Sequence, residues 1–161
     1  MQDLMLDYFS AEKSEAVLFV VAGLTAIAVS IWLWTSGNAY KGMAIPLTAV
    51  ALIHLSVGLS VYTRTDGQVA ALQQQLQTEP AQFQAAETQR MAVVMKNFGY
   101  YKALEVFLFA LGLAMTFMFR EQMFWYAVGA GLILQSSLTL FLDLFAEKRG
   151  DIYIEALSKL G

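Results

Sequence analysis

The chain has no cysteine, two prolines and a single histidine, and charged residues fill only 14% of its 161 positions. Without cysteine there is no disulfide, thiolate nucleophile, iron–sulfur ligand or thiol redox centre. The lone histidine, His54, has no second histidine and no carboxylate four residues away, so it does not make a metal or haem site. A net charge of −3, with no basic cluster, excludes a nucleic-acid or phosphoinositide patch. Gly129 and Gly131 lack the third glycine and the strand–helix context of a phosphate loop. With no nucleophile–base pair in view, neither enzyme activity nor a cofactor is expected.

What the chain has in excess is apolar surface: 58% of its residues are hydrophobic, more than a soluble domain of this size carries. Four stretches, about 16–36, 43–63, 98–119 and 123–143, each hold the ~20 residues that cross a hydrocarbon core of ~30 Å. They show no polar–apolar alternation, so they read as helices rather than barrel strands. The expected fold is an all-α, polytopic membrane domain of four transmembrane helices in a single unit. Asp3, Asp7, Glu12 and Glu15 precede the first span and do not match a cleavable signal, so that span is expected to be the targeting element.

Cations set the orientation. Lys41 and Arg120 lie in the connections after spans one and three, whereas Lys13, Arg64, Arg90, Lys96, Lys102, Lys148, Arg149 and Lys159 lie on the other side. By the positive-inside rule both termini and the middle segment are expected in the cytoplasm. Trp32, Trp34, Tyr40, Trp125 and Tyr126 would mark the outer interface, and Tyr62, Tyr100 and Tyr101 the inner one.

The middle segment, about 64–97, is rich in Gln and Ala. Val69, Leu72 and Leu76 recur at helical spacing, as do Phe83, Met91, Val94, Met95 and Phe98. Thr78 is suited to an N-cap and Pro80 to a first helical turn, which predicts an antiparallel helical hairpin protruding ~20 Å and fixing the pairing of spans two and three. Gln75, Gln82, Glu87 and Arg90 would offer a partner-docking surface on it. Beyond Gly150, read as a break, residues 151–160 predict a short helix lying on the inner leaflet or on the hairpin. Asp151 would cap it, and Ile152, Ala156 and Leu160 would share one face, with Tyr153 and Leu157 beside it.

Four polar side chains are carried into the spans: His54, Glu105, Gln135 and Asp143, the last two with Ser136, Ser137 and Thr139 on span four. A charge in the membrane centre costs roughly 2.5–3.5 kcal/mol on insertion scales, so each requires a partner or a wet cavity. Glu105 has two readings. It pairs with an inner-interface charge cluster of Arg64 and Lys102, or it lines a proton or cation site with Asp143 and His54. For His54 the structural reading is a neutral imidazole bonded to Gln135, Ser137 or a backbone carbonyl. The eight methionines are dispersed and read as packing residues. Small residues at spacing four, Ala22/Ala26/Ser30, Ser56/Ser60, Ala110/Ala114 and Ala127/Gly131, permit close helix contact.

The run ALQQQLQTEPAQFQAAETQRMAVVMKNFGYYKALEVFLFALGLAM, residues 71–115, resembles a pattern of uncharacterised four-span bacterial inner-membrane proteins. The shared features are a Gln/Leu helix, an acidic-Pro-Ala-x-Phe turn, an Arg-Met pair, then Lys-Asn-Phe, aromatic residues and Glu. The family pattern has Arg where this chain has Lys102. The resemblance implies topology and a bacterial inner-membrane location and assigns no site. It also suggests one helix face formed by Arg90, Lys96, Tyr101, Lys102 and Glu105. The expected partners are the lipid bilayer and either another membrane or membrane-active protein or further copies of the chain. Two function classes follow: a non-catalytic interaction protein, such as an immunity protein that neutralises a pore-forming toxin, and an oligomeric small ion channel or proton-coupled transporter with Glu105 and His54 in its pathway.

Overall fold

The structure is a computed structural model that describes residues 1–160. It consists of four long helices: α1 (Gln2–Thr35), α2 (Ala44–Thr78), α3 (Pro80–Met118) and α4 (Met123–Ser158). Each contains an 18-residue window apolar enough to cross a bilayer. The α1–α2 connection turns at Gly37, whose φ of 64° is the left-handed conformation that glycine adopts freely, and continues through a 3-10 turn at Lys41–Met43. Between α2 and α3 there is only Glu79, with Pro80 in the first turn of α3.

Helices of 34 to 39 residues are about 50–60 Å long, well beyond a ~30 Å hydrocarbon core. The surplus lies at one end in all four. There Met5 and Phe9 of α1, Phe83 and Met91 of α3, and Tyr153 and Leu157 of α4 form a fully buried cluster. Val69, Leu72 and Leu76 of α2 pack against its side. A large side chain buried this way contributes about 1.5–3 kcal/mol relative to exposure. The segment between spans two and three is therefore one half of a small water-side core, and the N-terminal and C-terminal segments are the other half.

This arrangement corrects several expectations. α4 runs unbroken through Gly150. A single helical glycine costs only about 1 kcal/mol, and here it allows close approach: a Cβ would stand 2.7 Å from Met95 Sδ of α3. The buried face of the tail is Tyr153 and Leu157, whereas Ile152 and Leu160 are exposed, because the inward seam of α4 continues from Asp143 through Gly150. Asp151 is inside the helix and caps nothing. Thr78 does not cap α3 either; its hydroxyl donates back to the Gln74 carbonyl at 3.0 Å. The main pairings are α1 with α2 and α3 with α4, while α2 and α3 share little direct contact.

Glycines set the two main crossings in the membrane portion. A Cβ on Gly112 of α3 would fall 2.7 Å from the Gly129 carbonyl of α4, and Gly23 and Gly58 bring α1 and α2 equally close. Of the small-residue pairs, Ala26/Ser30 and Ala127/Gly131 are buried, but Ser56/Ser60 and Ala110/Ala114 face outward. α3 is the least covered helix: its apolar window is 11% buried, against 28% to 33% in the other three.

Candidate functional site, an interior polar seam

Gln135, Thr139, Asp143 and Glu147 recur at spacing four and so line one side of α4. That side turns into the bundle, where Gln135 and Asp143 are buried and Thr139 and Glu147 half-buried. Each of the last three meets a side chain from another helix. Lys102 Nζ of α3 bonds both Glu147 carboxylate oxygens at 2.6 Å. The Asp143 carboxyl faces that of Glu105 at hydrogen-bonding range. Thr139 Oγ1 approaches His54 Nε2 of α2 at 3.5 Å, at the outer limit of a hydrogen bond, with the imidazole resting against the Phe19 ring.

Glu105 and Asp143 are 6% and 8% exposed. Two carboxyl groups can hydrogen-bond to each other only when one carries a proton. Glu105 Oε2 is buried with no donor among the described residues.

Toward the water side the charges are paired. Glu15 of α1 bonds Arg149 of α4, and Glu12 meets Arg64 of α2 at 3.5 Å. Deeper in the water-side core Glu87, 2% exposed, accepts two bonds from Arg90, at 2.7 and 2.8 Å, and one from the Tyr153 hydroxyl at 3.1 Å. Tyr153 stacks on Tyr8, with ring centroids 4.6 Å apart, and the Arg90 guanidinium lies over Phe9. Burial, reinforced by the Glu87 charge, pushes the Tyr153 phenol up. Burial also pushes up Tyr8, with Glu12 adding to it. Burial works against the charge of Arg90, but its bonds to Glu87 outweigh that and keep it firmly protonated. Burial raises Glu12 as well, with Arg64 opposing.

The expected site residues thus divide. Glu105 and Asp143 come together, and His54 lies one α4 turn from them, at Thr139 rather than at Gln135 or the exposed Ser137. Arg64 and Lys102 do not form one cluster with Glu105; each answers a different glutamate. Among the four residues expected to dock a partner, Gln82 is exposed, Gln75 and Arg90 are half-buried, and Glu87 is interior. The single face proposed for α3 is split, since Arg90 and Glu105 turn inward while Lys96 and Tyr101 are exposed. Glu15, Glu147, Arg149, Tyr8 and Tyr153 were not anticipated. The series 135, 139, 143, 147 was visible as spacing, but its cross-helix partners have no local signal. An apolar groove of about 670 Å³ lies elsewhere, between α1 and α2 around Ile27, Trp34 and Ile45.

No family model, curated protein or solved structure matches the chain, so no family is identified, and the four-span architecture rests on the four long apolar helices.

Proposed function

We propose that the chain is a non-catalytic protein of the bacterial inner membrane, with both termini cytoplasmic, that acts by binding another membrane or membrane-active protein. An immunity protein that neutralises a pore-forming toxin is the concrete form of this reading. The observation that supports it is the outer face of α3. Leu104, Phe107, Leu111 and Phe117 are 40% to 78% exposed within the apolar part of α3, which packs chiefly on α4. An apolar face that wide suits the helix of a partner as well as lipid. Affinity purification in mild detergent with mass measurement tests it. The expected result is a complex heavier than the 17.8 kDa chain, lost when Phe107 and Phe117 are replaced by Ala. Recovery of the chain alone would refute the reading.

A second reading, proton-coupled transport or conduction, is favoured by the facing carboxyls of Glu105 and Asp143. The seam is enclosed within one chain, so this reading does not depend on an oligomeric axis. Flux into proteoliposomes tests it: wild type carries protons, and Glu105→Gln does not.

A further inference from the structure

Lys102 and Arg149, the cations that face the neighbouring glutamates Glu147 and Glu15, are already engaged. Lys102 is bound to Glu147 on both carboxylate oxygens, and Arg149 is bound to Glu15. From α1 the group facing Asp143 is Glu15, another carboxylate. From α2 the contribution is His54, one turn deeper at Thr139. Two carboxyls therefore share a buried position with no cation of their own. An ionised carboxylate buried without a partner is far too costly to persist, and two in contact repel each other besides. The alternative that satisfies both is one proton held between them. Glu105 Oε2, buried and without a donor among the described residues, is the second mark of this site.

We propose that Glu105 and Asp143 form a proton-binding dyad that takes one proton from the water-side end of the bundle and holds it inside the membrane portion. In the loaded state one carboxyl is neutral and donates to the other, which remains a carboxylate, and the pair carries a single negative charge. In the unloaded state both are ionised, the hydrogen bond is gone, and repulsion acts directly across the α3–α4 contact. Glu147 and Glu15 flank the dyad on its water side, each held by its own cation. The proposal deepens the transport reading, and only the flux measurement below depends on that reading.

Infrared difference spectroscopy of the full chain in phosphatidylcholine–phosphatidylglycerol vesicles tests the dyad directly. The expected result at neutral pH is a protonated-carboxyl C=O band that disappears reversibly at alkaline pH. It should be absent in Glu105→Gln and in Asp143→Asn and unchanged in Glu121→Gln, whose carboxylate lies in the exposed α3–α4 connection. The wild-type titration requires no variant to fold, so loss of a variant does not spare the proposal. Absence of the band in wild type, or its survival in both dyad variants, would overturn it. Displacement of the band by sodium, potassium or calcium at constant pH would make the ligand a metal cation and overturn it as well. A titrating band in vesicles that carry no proton flux would leave the dyad standing and remove the transport reading.

Discussion

Glu87 is 2% exposed in a segment whose composition looks entirely solvated. Its charge is tolerated because Arg90 grips it with two hydrogen bonds and Tyr153 supplies a third. Breaking such a group is worse than never having it. Arg90→Ala should destabilise the protein by about 3 kcal/mol by leaving the carboxylate buried and unpaired. Tyr153→Phe removes one neutral donor and should cost only about 1 kcal/mol. Thermal unfolding in detergent measures both, and equal effects would contradict the arrangement. Glu12 makes a pH-dependent case. Burial raises it, so the folded state holds that proton more tightly than the unfolded chain does. Its contribution is therefore neutral in acid and becomes unfavourable as pH rises through the glutamate range, above about pH 4. Glu12→Gln should raise the melting temperature at neutral pH and leave it unchanged in acid. None of this was legible in the sequence, where Glu87 and Arg90, three residues apart, look like an ordinary surface pair. Burial of such a pair is decided by α1 and α4, which are distant in the chain.

At the scale of helices the legible part was the ends at the α1–α2 and α3–α4 connections. The expected spans end or begin within one residue of Thr35, Ala44, Met118 and Met123. The opposite ends were not legible, for a physical reason: hydropathy falls where an apolar run stops, whereas the helix goes on. The interhelical contacts were half legible. The spaced small residues pointed to Gly131, which meets Pro46 of α2, but Gly23, Gly58 and Gly112, which set the α1–α2 and α3–α4 crossings, stand in no spaced pair. Gly112→Ala should therefore disrupt α3–α4 packing, since its Cβ meets backbone rather than a yielding side chain. Gly67→Ala, with open space around it in α2, should stabilise by about 0.5–1 kcal/mol through helix propensity alone. Opposite signs in paired unfolding measurements are the expected outcome; a shared sign would mean that the α3–α4 crossing is looser than described.

For the whole molecule, the eight-to-two cation asymmetry in the sequence predicts that a reporter fused after Thr78 behaves as cytoplasmic and one inserted near Asn38 as periplasmic. The reverse result would invert the side assigned to the water-side core and to the seam. The fold class and number of spans could be read from composition and run length. The water-side core could not, because its residues come from all four helices and none of the segments is distinctive alone. Leu157→Ala, which hollows that core far from any span, should cost about 2–5 kcal/mol, a loss that a loose interfacial tail would not show.

Both prolines lie in the first turn of a helix, and no residue inside any helix has a positive φ. Neither a proline kink nor a left-handed residue therefore interrupts the four helices. Tyr153, clamped between Tyr8 and Phe9, and Asp143, facing Glu105, are about 15 Å apart on the same rigid rod. Because both grips act on one continuous helix, a displacement of α4 at the aromatic cluster is expected to alter the gap between the two carboxyls. A mechanical load at one end and an ionisation at the other act on the same helix.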